Sequence, residues 1–158
     1  QAPAVFREQE FAGLGQATLQ EVLEKILPEV LARYHLSEEI PVILGGYSLA
    51  GLFALWCLTR TDAFDGAASC SGSLWYPGFL SFLEKQTALT GKRIYLSLGG
   101  KESNSRNPLM ATVADCTEKA TKLLAKENTV KYELNPGGHF ADSAKRLAKA
   151  VKFLLADS

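Results

Sequence analysis

The chain has 158 residues, 47% hydrophobic and 22% charged, and its 17 basic side chains balance 17 acidic ones. That is the size and composition of one globular domain, and it excludes a disordered, collagenous or disulfide-rich chain. A neutral balance gives no lean toward nucleic acid or an anionic membrane surface, and no apolar run approaches the roughly 18 residues that span a bilayer.

The three cysteines, Cys57, Cys70 and Cys116, are odd in number and far apart, with no C-x-x-C pair. They form neither a disulfide framework nor a zinc site, and reduced thiols suit a cytoplasmic protein. No signal peptide is visible, and an opening at Gln1 rather than Met leaves room for an upstream segment.

Gln1 to Gly15 shows no periodicity and reads as loop. Leu19, Val22, Leu23, Ile26, Leu27, Val30, Leu31 and Tyr34 recur at helical spacing and predict an amphipathic helix, with Thr18 near its start and His35 near its end. Ile40 to Leu44 is a short, nearly all-apolar run and reads as a strand buried on both faces, as in parallel sheets. Leu49 to Leu58, also apolar but too long for a typical strand, reads as a buried helix.

The alternation then continues. Ala67–Ser71 predicts a strand, Gly78–Lys85 a helix after Pro77, and Arg93–Leu98 a strand ending at Gly99-Gly100. Val113, Cys116, Ala120, Leu123 and Leu124 mark an amphipathic helix, and Val130, Tyr132 and Leu134 alternate as a strand. Ala144, Leu147, Ala148, Val151, Leu154 and Leu155 mark a final helix. Four strands alternating with helices predict an α/β domain, a mostly parallel sheet with helices on its faces.

Gly46-x-Ser48-x-Ala50-Gly51, between the first strand and the buried helix, fits a nucleophile elbow with Ala50 in place of the second glycine. A serine hydroxyl projecting from so tight a turn needs small residues two before and two after it, where larger side chains would collide with strand and helix. The competing reading is an ordinary Gly/Ser turn, but the apolar strand before it and the buried helix after it favour the elbow. The helix that begins after Ser48 points its first amides at the site, which makes the Leu49 N–H a candidate oxyanion donor.

Two histidines are available as a base. His35, at a helix end, reads as a surface or capping residue. His139 follows Pro136-Gly137-Gly138 directly after the last strand and is the better candidate. Glu102, just past the strand that ends at Gly99-Gly100, lies on the same sheet edge and is the candidate acid, with Asp142 and Asp115 as alternatives. The chain order Ser48, Glu102, His139 is the order that hydrolases on such a sheet use. Tyr47, Trp75 and Tyr76 are candidates for an apolar substrate wall, against an equally good reading as core. Cys70 is a rival nucleophile without a tight turn around it, Cys57 and Cys116 read as core, and Arg106 is placed either on an anionic substrate or in solvent.

Four blocks together carry a family resemblance: Gly46-Tyr47-Ser48-Leu49-Ala50-Gly51-Leu52-Phe53-Ala54-Leu55, Ser71-Gly72-Ser73-Leu74-Trp75, Leu98-Gly99-Gly100-Lys101-Glu102 and Asn135-Pro136-Gly137-Gly138-His139. The sequence resembles the α/β-hydrolase esterases of the group that contains enterochelin (catecholate-siderophore) esterases, esterase D-type enzymes and feruloyl esterases. The resemblance implies a three-layer α/β/α fold. It further implies ester hydrolysis through an acyl-enzyme on Ser48, with His139 as base and Glu102 as acid, although some siderophore esterases of the group work with a Ser–His pair alone. It implies a small-molecule ester as partner, and no cofactor, metal or nucleic acid is expected.

The family's fold has about eight strands, so this single domain, residues 1–158, corresponds to its C-terminal part. The upstream strands and the loop giving a second oxyanion donor are expected to exist as a separate chain or as a segment lost from this one, and a homo-oligomer is the other expected partner. The alternatives to an esterase are an inert or incomplete module of the same fold and an acyltransferase.

Overall fold

A computed structural model describes residues 8–156. The elements run α1 (Glu8–Glu21), a π-helical turn (Val22–Ile26), α2 (Leu27–Arg33), β1 (Ile43–Tyr47), α3 (Leu49–Leu58), β2 (Gly66–Cys70), α4 (Phe79–Glu84), β3 (Arg93–Gly99), two 3-10 turns (Glu102–Asn104 and Met110–Thr112), α5 (Val113–Leu124), β4 (Thr129–Asn135) and α6 (Ser143–Leu154). Among the described residues no helix is long and apolar enough to cross a membrane.

The strands form one four-stranded sheet in the order β1-β2-β3-β4, every neighbour pair parallel. Parallel strands require crossovers, and helices supply them on both faces. On one face α3, α4 and α5 enclose a core of Leu52, Leu55, Trp56, Phe79, Ile94 and Leu96. On the other, α6 packs Ala150 and Leu154 against Ala68, Cys70 and Tyr95. The result is a three-layer α/β/α architecture. Each fully buried large apolar side chain contributes on the order of 1.5–3 kcal/mol, so Trp56, Phe79 and the leucines dominate its stability. The uniform apolarity of Leu49–Leu58 follows from its place: seven of its ten residues are buried.

Four expectations are corrected. The segment read as loop is helical from Glu8 onward, while residues 1–7 lie outside the described ones. The helix predicted to start near Thr18 is the rest of that run, interrupted at Val22–Ile26 by a π-helical turn. The first strand begins at Ile43 and is not buried on both faces: it is an edge of the sheet, with Gly46 its one buried residue. Pro41 lacks an N–H for a ladder, and the Val42 N–H donates to Asp65 Oδ2 (2.7 Å), which delays the strand.

The fourth correction is α6, whose inward stripe is Arg146, Ala150 and Leu154. Val151 and Leu155, expected to face the core, are 54% and 64% exposed. The helix is rotated because a buried arginine occupies the position nearest the carboxyl ends of the strands.

Candidate active site

Ser48 stands between β1 and α3 with φ 58° and ψ −121°, a conformation that a non-glycine residue holds only when its surroundings over-determine it. Here they do. The Ser48 N–H donates to Cys70 O (3.0 Å), and its carbonyl accepts from Gly51 N (3.0 Å), Leu52 N (3.3 Å) and Ser73 N (3.1 Å). The turn is therefore tied to β2, to α3 and to the loop after β2. A Cβ at Gly46 would lie 2.2 Å from the Ala50 carbonyl oxygen, and one at Gly51 would lie 2.8 Å from Ser69 Oγ. The small residues of the elbow are sterically required.

His139 sits in the loop after β4, its ring 29% exposed. Its Nε2 is 3.1 Å from Ser48 Oγ and its Nδ1 2.7 Å from Glu102 Oε2. With Nδ1 protonated toward the carboxylate, Nε2 is the acceptor for the serine proton. Glu102, 4% exposed, follows β3. Its Oε1 accepts from Gly99 N (2.6 Å), Ser71 Oγ (2.6 Å) and Arg146 Nη1 (3.2 Å).

The loops after β3 and β4 are also bonded directly, Gly100 N to Asn135 O (2.8 Å) and Lys101 N to Gly137 O (3.0 Å). Parallel pairing thus places three loops at one sheet edge and lets them hold one another. Leu49 heads α3, and the first N–H groups of a helix have no carbonyl one turn behind them, so its amide is suited to an oxyanion.

These groups open onto a cleft of about 230 Å³ that is also lined by Ser73, Trp75, Lys101, Asn104, Ser105 and Met110. Of the three aromatic candidates only Trp75 lines it. Tyr47 lies behind Ser48, Glu102 and His139, where its hydroxyl donates to the His139 carbonyl and its ring meets the imidazole edge-on at 5.6 Å. Tyr76 packs against the core instead. Arg106 is exposed and does not line the cleft. A larger hollow of about 340 Å³ beside α4 and α5 has none of these groups on its walls.

Asp142 precedes α6 in a left-handed conformation, exposed, and Asp115 is exposed on α5; neither is bonded to His139. His35 lies exposed beyond the end of α2. Burial pushes the Cys57 thiol up to about 12 and raises Cys70 as well, the opposite of what a nucleophile needs.

Sequence reasoning missed Arg146, Lys101 and Met110. Arg146 had a visible signal: it occupies the i−4 and i−8 positions of the stripe made by Ala150 and Leu154, a charge on an inward face. The cleft residues between Lys101 and Met110 had none, because they lie in loops and short 3-10 turns too brief to carry a periodic signal.

A strained serine between strand and helix, with helices on both sides of a parallel sheet, defines a domain of the α/β-hydrolase type. The chain belongs to the family described as "Putative esterase", whose model matches residues 2–152. No curated protein matches the sequence.

Among solved structures, the siderophore hydrolase EstA from Aspergillus nidulans superposes with a TM-score of 0.69 at 21% identity, over 88% of this chain and 56% of that one. An IroE-like serine hydrolase from Shewanella oneidensis gives 0.68 at 20% identity, over 84% and 45%. The acylaminoacyl peptidase of Pyrococcus horikoshii gives 0.65 at 16% identity, over 98% and 30%. At these identities the likeness is one of fold, and the chain spans about half the length of the first two.

Proposed function

We propose that the domain carries the catalytic triad of a serine carboxylesterase, with Ser48 as nucleophile, His139 as general base and Glu102 as its orienting acid. The observation that carries this reading is the hydrogen-bonded series from Ser48 Oγ through His139 to Glu102 on a strained elbow. His139 Nε2 takes the hydroxyl proton as Ser48 Oγ attacks the ester carbonyl carbon. Negative charge gathers on the carbonyl oxygen, where the Leu49 N–H stabilises it. The intermediate collapses, the alcohol leaves with the proton from His139, and an acyl-enzyme remains. Water, deprotonated by His139, then releases the acid. Glu102 keeps the imidazole in the required tautomer and stabilises its charged form. Trp75 and Met110 supply an apolar wall for one side of the substrate, a small-molecule ester.

Hydrolysis of p-nitrophenyl acetate by wild type and Ser48→Ala, with fluorophosphonate labelling of both, tests the reading. The variant is expected to lose at least roughly a thousandfold in rate and all labelling. Equal rates would reject Ser48 as nucleophile.

A second reading, a module that keeps the triad but is nearly inert alone, is favoured by the exposed edge of β1, the strand that carries Ser48. In this reading a further segment or a second copy covers β1 and supplies the other oxyanion donor. A single missing donor costs about a hundred- to a thousandfold in rate. The same labelling decides: slow but Ser48-dependent labelling marks the incomplete site, and labelling at the pace of ordinary serine esterases rejects it.

A further inference from the structure

Arg146 is the one charged residue on the inward face of α6, and its side chain is 1% exposed. Its Nη1 donates to Ser71 Oγ (2.9 Å), Tyr47 Oη (3.1 Å) and Glu102 Oε1 (3.2 Å). Its Nη2 donates to the carbonyls of Pro136 (3.1 Å) and Gly138 (3.0 Å). One planar group thus touches the acid, the residue after β2, the residue before Ser48 and both sides of the turn that presents His139. The carbonyl between those two, Gly137 O, is taken by Lys101 N from the acid's own loop. Room for this cluster depends on Gly99: a Cβ there would come within 2.9 Å of both Arg146 Nη2 and Glu102 Oε1 and 2.6 Å of Gly137 O.

We propose that Arg146 is the positioning residue of this site, a buried fork that sets the Glu102 carboxylate and the His139 loop relative to each other. The inference rests on the esterase reading for its kinetic consequence, not for its geometry. Replacing a buried ion pair by apolar side chains of similar volume is often neutral or stabilising, so packing alone gives no reason for an arginine here. What an apolar residue cannot do is donate from one group to five acceptors around the site, the three on Nη1 sharing its two hydrogens. Lysine cannot either, because it offers a point charge in place of a fork. Glu102 without Arg146 keeps Gly99 N and Ser71 Oγ, but the carbonyls on both sides of Gly137 lose their partner. The imidazole is then free to drift by fractions of an ångström, which matters because misplacement by about 1 Å costs about a hundredfold in rate.

The protein has two histidines, so selectively labelled imidazole resonances are simple to assign. In wild type the His139 Nδ1 proton, shared with Glu102, is expected as a sharp, strongly downfield signal. In Arg146→Met it is expected to broaden or vanish while circular dichroism stays that of wild type. Ester-hydrolysis kcat is expected to fall on the order of 10- to 100-fold, with KM within about threefold. Arg146→Lys is expected to recover part of kcat.

In a Glu102→Gln background, Arg146→Met is expected to cost less than it does alone, because both residues position the same imidazole. A wild-type resonance and kcat in Arg146→Met, or full multiplication of the two effects in the double variant, would overturn the proposal. Should Arg146→Met unfold, Arg146→Lys carries the same resonance and double-variant comparisons. If wild type shows no Ser48-dependent turnover, the esterase reading fails, and the resonance still decides the role of Arg146.

Discussion

At Ser48 a few atoms decide the chemistry. The backbone angles of φ 58° and ψ −121° cost on the order of 1–3 kcal/mol, offset by the four hydrogen bonds that Cys70, Gly51, Leu52 and Ser73 make with its peptide groups. The elements around this hydroxyl bury two of the three thiols. Cys57 and Cys70 are fully buried, and burial raises both, whereas Cys116 is half-buried on α5 with its sulfur 3.5 Å from Thr112 Oγ1. Titration of the native protein with a chromogenic disulfide reagent is expected to modify Cys116 alone on the assay timescale, and all three thiols in denaturant. Rapid native modification of Cys70 would show that α6 does not seal the back of the elbow.

Among elements, β4 and α6 are joined by a polar tie below the site. Lys149 bonds Glu133 and Asn135, and Tyr95 on β3 donates to Glu133 Oε2 (3.1 Å). The hydrogen bond from Lys149 holds the Glu133 carboxyl below its ordinary 4.5, against a smaller opposing effect of partial burial. A depressed carboxylate stabilises the fold at pH above its unfolded value, where both states are ionised. That stability is lost as pH falls through the folded value, because the unfolded chain binds the proton first. Below about pH 4.5 the melting temperature of wild type is therefore expected to fall more steeply than that of Glu133→Gln, and thermal melts across that range check it. Parallel melting curves for the two proteins would show that the tie contributes nothing.

For the molecule as a whole, β1 and β4 are the two edges of the sheet among the described residues, and β1 is the one that carries Ser48. Beside it runs an apolar groove of about 280 Å³ lined by Ile43, Gly45, Ala68, Leu147, Val151 and Leu155. An unpaired edge next to an apolar groove is a template for association. The isolated domain is expected to self-associate with rising concentration. Val151→Lys with Leu155→Glu is expected to reduce that association without loss of melting temperature, since both side chains are more than half exposed. Light scattering across a concentration series checks this, and unchanged association would place the contact elsewhere.

Much of this was legible in the chain itself. Period and punctuation located four strands, the buried helix Leu49–Leu58 and the elbow at Ser48, because these signals depend on neighbours a few residues apart. Chain order and strand ends favoured His139 and put Glu102 ahead of Asp142 and Asp115, and the fold sets the imidazole 3.1 Å from Ser48 Oγ and 2.7 Å from Glu102 Oε2. Folding alone decided where those groups point and what holds them. Tyr47 sits behind Ser48 and His139 while Trp75 lines the cleft in front of them. Arg146 lies 98 residues beyond Ser48 in sequence, and its partners come from loops after β2, β3 and β4. No local pattern encodes such a meeting. It exists because a parallel sheet gathers the carboxyl ends of all its strands at one edge, and there distant residues become neighbours.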